Sequence, residues 1–416
     1  MSGPDNAMIT MEEPVIRVIS DAVKRLDPSR YFLESSPTGR MFNNTLENIE
    51  KDPEGLHDVH GPWEHQGLTE QYTLYNAGTS LLSSEFGVEG MTNYDTLAKS
   101  MEESHLWPPS RENEFYFHRG SWWNNYPFLQ ECFGGEIKEI RTAVKASQFL
   151  QYEGLKYAVE ANRRRAFSCS GTFPWQFNEP YPNNTCTCSI DYYAAPKPVY
   201  YGVQKAYAPE VLTARFISQT IAGQERFEAD IFRQSSDSRT FPAKIYASVV
   251  QQDGRECAGL EFCAGEDVAE SQEKAVRIGT ITCAAERIET EIFYLVLEGV
   301  DGDGNKTVQN CYCFTKTTLA GLLKLAETTV QTELEEQDTD GTFLIRLENT
   351  GEETAAGLWL EDVDGTDGER DGYLYFEENY FYLFPGESRK VCVRSTKSHR
   401  PKIRISGFNV ADIVLE

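Results

Sequence analysis

Residues 80–87 read Ser80-Leu81-Leu82-Ser83-Ser84-Glu85-Phe86-Gly87, a short apolar run that leads into a carboxylate. Its length and composition suit a buried strand. Glu85 would stand at the tip of that strand, partly desolvated, where a charge is costly unless it is used. Spacing alone favours the plainer reading, a strand-end glutamate paired to a neighbouring base. Three more segments offer comparable endings: Ser35-Ser36-Pro37, His57-Asp58-Val59-His60-Gly61-Pro62-Trp63 and Trp175-Gln176-Phe177-Asn178-Glu179. Parallel strands with polar and aromatic residues at their carboxyl ends are how a (β/α) barrel builds an active site. The four segments therefore predict one catalytic face.

Outward from residue 85, helical and strand patterns alternate. Val15, Ile16, Val18, Ile19, Ala22, Val23 and Leu26 form a helical stripe opened by Pro14. Residues 31–35 read as a buried strand, 55–60 as a second, 80–86 as a third, and 93–101 as helix. The longest helical stretch is 137–165, ending in Arg163-Arg164-Arg165, which suits the negative end of a helix dipole. Residues 166–177 read as strand and 199–206 as a closing helix.

After about residue 209 helical periodicity largely stops. Short β-rich runs at 244–250, 278–283, 291–297 and 309–314 are followed by a second set at 342–347, 357–360, 373–376, 390–393 and 402–405. Recurrence every 8 to 12 residues or so, with turn residues between, predicts two antiparallel sandwiches. Residues 318–327 read as a helical junction. The predicted layout is an α/β unit at 1–208 followed by all-β units at 209–320 and 321–416.

Composition narrows the function. Thirty-nine Lys+Arg against 65 Asp+Glu give a formal charge of −26 over 416 residues. Such a field repels phosphate backbones and anionic lipid surfaces, so neither nucleic acid nor a membrane is an expected partner. No apolar run reaches the roughly 18–20 residues of a bilayer span. Residues 1–20 lack a basic region followed by an apolar one, and ten cysteines are too few for a disulfide scaffold, so a cytoplasmic location with reduced thiols is expected.

Ser84-Glu85-Phe86-Gly87, the run from Gly171 to Glu179, and Ser189-Ile190-Asp191-Tyr192-Tyr193-Ala194-Ala195-Pro196-Lys197-Pro198-Val199-Tyr200-Tyr201 together resemble glycoside hydrolase family 2. The likeness is to its β-mannosidase and exo-β-glucosaminidase branch. Asp27-Pro28-Ser29-Arg30, the segment from His57 to Trp63, and Glu377-Glu378-Asn379-Tyr380-Phe381-Tyr382-Leu383-Phe384-Pro385-Gly386-Glu387 fit the same branch, so the likeness runs along nearly the whole chain.

The resemblance implies a retaining exo-β-glycosidase built on the C-terminal half of a TIM (β/α) barrel, followed by two immunoglobulin-like sandwiches. Glu85 matches the nucleophile. Trp175 would form the platform beneath the sugar, His60 and Trp63 would line the same pocket, and Asn178 would bind substrate. Trp107, His118, Trp122, Trp123 and Asn124 are weaker candidates for the leaving-group side, with ordinary packing the stronger reading. In this family the general acid/base is the Glu of an Asn-Glu pair ahead of the Asp-Pro-x-Arg segment. Both pairs here, Asn113-Glu114 and Asn178-Glu179, follow the nucleophile, so the acid/base is not expected in this chain. The expected ligand is an oligosaccharide or glycoside; the expected protein partner is a separate N-terminal half or a second copy. The alternative is a non-catalytic carbohydrate-binding or structural fragment, or one subunit of a split glycosidase.

No cofactor and no metal is expected. Asp301-Gly302-Asp303-Gly304-Asn305 begins like a calcium loop, but its sixth and twelfth positions are Lys306 and Tyr312, so a hairpin turn is the better reading. The acidic stretch 361–371 reads as a solvated loop. His57 and His60, three apart on a strand, point to opposite faces. Cys186-Thr187-Cys188 and Cys311-Tyr312-Cys313 lack the C-x₂-C spacing usual at zinc sites and read as buried thiols. Three Asn-x-Thr triplets, at Asn43, Asn183 and Asn305, match the glycosylation pattern without a secretory context.

Overall fold

The computed structural model describes residues 9–118, 121–122, 124–236, 244–263, 275–336, 341–363 and 372–416. The α/β part holds helices α1 (Pro14–Leu26), α2 (Leu46–Lys51), α3 (Glu70–Ala77), α4 (Tyr94–Ser100), α5 (Tyr126–Cys132), α6 (Ile140–Arg164) and α7 (Pro198–Ala206). Its main sheet has the order β1 (Thr38–Gly39), β2 (Leu56–His60), β3 (Leu82–Phe86) and β7 (Thr172–Pro174). β2, β3 and β7 are mutually parallel, and β1 joins β2 antiparallel. Two-stranded ladders β4 (Gly90–Met91) with β8 (Thr185–Cys186), and β5 (Phe117–His118) with β6 (Ser121–Trp122), decorate it. Among the described residues, no helix is long and apolar enough to cross a membrane.

Two expected strands fall short. Residues 31–35 form no strand: Tyr31 and Leu33 are exposed, and the only pairing nearby is the two-residue β1. A strand exists only where a neighbour takes its backbone hydrogen bonds, and nothing described lies beside this run. Of 166–177, three residues pair as β7; Phe167 adopts positive φ, and Ser168 and Cys169 donate backbone N–H groups to Arg165 O, closing a turn instead. The junction at 318–327 is a 3₁₀ helix over Leu319–Lys324.

Beyond α7 the chain is strand-rich. β9 (Glu210–Arg215), β10 (Arg226–Ser235), β11 (Lys244–Gln251), β12 (Glu256–Cys263), β13 (Ala275–Ala284), β14 (Ile292–Val300) and β15 (Lys306–Thr315) make sheets of order β13-β10-β9 and β12-β11-β14-β15. β16 (Val330–Glu336), β17 (Thr342–Asn349), β18 (Ala355–Asp362), β19 (Leu374–Phe376), β20 (Phe381–Leu383), β21 (Ser388–Ser395), β22 (Ile403–Ser406) and β23 (Ile413–Leu415) make sheets of order β16-β17-β21-β19 and β20-β18-β22-β23. These are two sandwiches of antiparallel sheets, whose inward residues alternate with outward ones. The acidic stretch 361–371 lies mostly outside the described residues.

α6 ties the three parts together. Leu155, Tyr157, Ala158 and Val159 join a core shared by the parallel sheet and the first sandwich. Phe149 and Leu150 join a second core that reaches Tyr294 and Tyr382, and Tyr152 enters the core of the last sandwich. Its terminal arginines serve neighbouring segments as well as their own helix end: Arg163 and Arg164 donate to the carbonyls of Ala208 (2.9 Å) and Ala214 (3.1 Å), and Arg165 to that of Ser80 (2.9 Å), just before β3.

α1 contrasts with this. Its stripe is helical as expected, yet Ser20 is its one buried residue, while Val15, Val18 and Leu26 are 67%, 69% and 77% exposed.

Candidate active site

The parallel register sets His60 of β2 opposite Glu85 of β3. His60 Nδ1 lies 3.8 Å from Glu85 Oε2, and both side chains are half-buried. Ser36 reaches the same place from the turn before β1. Its Oγ lies 2.7 Å from Asp58 Oδ2, 2.9 Å from His60 Nε2 and 2.9 Å from Ser84 Oγ. A hydroxyl has one proton to give and two lone pairs to offer. Donation to the buried Asp58 carboxylate leaves Ser36 to accept from His60 Nε2–H and Ser84 O–H. His60 Nε2 then carries a proton, and Nδ1 faces Glu85 Oε2 from beyond hydrogen-bond distance.

Backbone approach fixes the rest. Gly61 N–H donates to Glu85 O (2.7 Å), and Gly61 has φ of +70°, with the Trp63 ring where a Cβ would project. Gly87 N–H donates to Pro62 O, and a Cβ on Gly87 would come within 2.5 Å of Trp175 O, so only glycine fits between these strand ends. Trp175 N–H donates to Phe86 O at 2.6 Å, and the Trp175–Gln176 peptide is cis. Trp175 is 44% exposed; Trp63 is half-buried. Both follow strands that neighbour the one carrying Glu85.

Asn178 is exposed and its backbone bridges to Ile190, away from the contacts of Glu85. His57 is exposed and His60 half-buried, as alternation predicts. Trp107 packs edge-on against Tyr126, and Asn124 donates to Thr185 Oγ1 (2.9 Å), both packing roles. Trp123 lies outside the described residues.

Several partners were not singled out from sequence. Ser36, Asp58 and Ser84 lay inside quoted segments, but their convergence depends on strand register. Glu89, four residues past Glu85, is buried; its carboxylate accepts from His65 N–H (3.1 Å), and burial holds its pKa well above the usual range. Burial also drives the His65 pKa down to about 3, so the ring is neutral. Glu179, Cys186 and Cys188 form a buried group that could hold a metal ion. Cys186 is shifted upward, first by its hydrogen bond with Cys188 and then by burial; the same bond lowers Cys188, aided by Lys197.

Comparison with known proteins agrees with the motif reading. The family profile for the exo-beta-D-glucosaminidase Ig-fold domain matches residues 311–410. Beta-mannosidase B of Aspergillus terreus is 23% identical over 266 residues, covering 63% of this chain and 30% of the relative. Beta-mannosidase B of Aspergillus niger is 25% identical over 203 residues, covering 48% and 23% respectively. The crystal structure of the β-D-mannosidase from Dictyoglomus thermophilum superposes with a TM-score of 0.68 at 21% identity, over 95% of this chain and 44% of that one. The exo-chitosanase of Amycolatopsis orientalis gives 0.67 at 18% identity, over 86% and 45%. The chain thus resembles the β-mannosidase and exo-β-glucosaminidase branch of glycoside hydrolase family 2, and spans less than a third of the length of these curated relatives.

Proposed function

We propose that this chain is the C-terminal part of a retaining exo-β-glycosidase of the β-mannosidase type, with Glu85 as its nucleophile and its parallel strands as part of a TIM barrel. The observation that carries the reading is the convergence of Glu85, His60, Ser84 and Ser36 at the carboxyl ends of adjacent parallel strands. Glu85 attacks the anomeric carbon, the bond to the leaving oxygen breaks, and water then hydrolyses the glycosyl ester. His60, held by Ser36, stands beside the carboxylate. Trp175 and Trp63 offer aromatic faces to the sugar's C–H face, and Asn178 lies further out as a candidate for its hydroxyls.

Retention needs a second carboxyl group about 5–5.5 Å from the first. Asp58 does not serve: it is 1% exposed and bonded to Ser36. Glu179 is also buried, tied to Gln176. The family resemblance, in which the acid/base is the Glu of an Asn-Glu pair ahead of the Asp-Pro-x-Arg segment, implies that the general acid/base would come from polypeptide outside this chain.

A 2-deoxy-2-fluoro-β-mannoside with a dinitrophenolate leaving group tests the nucleophile, because that group departs without protonation. The expected result is a mass gain of one fluorosugar, mapped to the peptide containing Glu85 and absent in Glu85→Gln. Labelling elsewhere would overturn the assignment. Normal turnover of an unactivated aryl β-glycoside by this chain alone would sink the external acid/base.

The exposed apolar stripe of α1 favours a second reading, one subunit of a split glycosidase. Activity that appears only on mixing with a separately expressed N-terminal half would support it.

A further inference from the structure

Beneath the Trp175 loop lies a cluster the reaction does not use. Glu179, Cys186 and Cys188 are all buried and present ligand atoms within 4.8 Å of one another, the only such metal-capable group among the described residues. Cys186 closes β8, and Cys188 follows two residues on. Neither cysteine is in a disulfide. Gln176 Nε2 donates to Glu179 Oε1 at 2.7 Å and lies 3.6 Å from Cys186 Sγ. Lys197, fully buried, donates its ammonium to the carbonyl oxygens of Gly90 and Cys186, each at 3.1 Å.

A buried carboxylate beside two thiols is an expensive grouping unless a cation joins it. We propose that Glu179, Cys186 and Cys188 bind one thiophilic divalent cation of the zinc class, with Gln176 as the side chain placed to complete the shell. Tetrahedral zinc, with bonds of about 2.3 Å to sulfur and 2.0–2.2 Å to oxygen, sets its donors roughly 3.5–3.8 Å apart, so the group needs only modest contraction. Rotating the Gln176 amide by 180° would turn its oxygen toward the ion; water is the other candidate for that position. On binding, the two thiol protons leave to solvent. Two thiolates and a carboxylate carry three negative charges, Lys197 offsets one, and a divalent ion neutralises the remaining two. The C-x-C spacing is unlike the usual zinc pair, but the fold supplies a third ligand from Glu179.

The ion would clasp the segment from Gln176 to Cys188 and so hold Trp175, its neighbour, in place. Its role is structural. That consequence for the sugar platform rests on the proposed glycosidase reading; the binding itself does not.

The test is metal content and Co(II) spectroscopy on the reduced full chain, independent of any glycosidase assay. After chelator treatment and dialysis against Zn(II), mass spectrometry of the metal should find one ion per chain. Co(II) should produce thiolate-to-metal charge-transfer absorption that Zn(II) abolishes. Cys186→Ser and Cys188→Ser should each lose that absorption and at least tenfold in affinity, Glu179→Gln should weaken binding, and Cys257→Ser in the first sandwich should change nothing. Should a serine variant fail to fold, the wild-type stoichiometry and the Co(II) spectrum decide alone. Clearly substoichiometric metal in the reduced wild type, absence of thiolate absorption, or unchanged binding in a folded Cys186→Ser/Cys188→Ser chain would overturn the proposal.

Discussion

The α/β part and the last sandwich bury their apolar surface in opposite ways. In the sandwich, Ile345, Leu347, Val391 and Val393 are fully buried against Leu358, Leu360 and Phe381 of the facing sheet, all from the same 90 or so residues. The α/β part leaves α1 in solvent, along with Tyr31, Phe173 and Phe177, while its strand ends gather Glu85, His60, Asp58 and Ser36. One region satisfies itself; the other collects chemistry at an open sheet. Apolar side chains left exposed along one face of α1 are what a further partner would cover.

The largest expected effect falls on the open region's chemistry. In any preparation that turns over a β-glycoside, Glu85→Gln should lower kcat roughly 10⁴-fold or more, the order found when a covalent nucleophile is removed. Unchanged turnover would leave the strand ends without a catalytic role. Next comes the self-contained region: Ile345→Ala should cost about 2–5 kcal/mol in denaturant melts, because Ile345 is fully buried. A loss below about 1 kcal/mol would mean the sandwich core is looser than its packing indicates.

The seam between the regions should respond to pH. Burial pushes the Glu153 carboxyl on α6 up to about 7, and Tyr382 O–H donates to it at 3.1 Å. Below its unfolded value of 4.5 the group is protonated in both states and contributes nothing. Between 4.5 and 7 the unfolded chain ionises while the folded one holds its proton, so rising pH favours unfolding until the penalty is complete above 7. Glu153→Gln should therefore gain on wild type by on the order of 2 kcal/mol between about pH 5 and pH 8. Parallel stability curves would refute this. The smallest effect tests the comparison itself: Val18→Ser on α1 should stay within about 0.5 kcal/mol in the isolated chain, since Val18 is 69% exposed. A loss above 1 kcal/mol would show that this face is covered in solution.

The legibility of the fold follows the range of its interactions. β2, β3, α4, α6, α7 and most sandwich strands declared themselves through local periodicity, which is a property of neighbouring residues. Among the strands that escaped, β10 did so because charged residues interrupt its pattern: Arg226, Glu228 and Asp230 alternate along its polar side, where Asp230 pairs with Arg215 and Arg277. The expected strand at 31–35 failed for the converse reason, apolar composition without a pairing partner. At the site, Glu85, His60, Trp63 and Trp175 could be nominated from motif order. Asp58 and Ser36 could not, because their meeting across 22 residues depends on the register of β2 and on the turn before β1.

By itself the sequence determined the division into α/β and all-β parts, a strongly acidic net charge, and a glutamate at a strand tip, since each is written in short-range pattern or in sums over residues. Only the tertiary structure decided which apolar face lacks a partner, that Ser36 joins Asp58 to His60, and that Glu179 meets Cys186 and Cys188. Those are distances between segments, and a distance between segments exists only after strands choose their register and α6 fixes what packs around it.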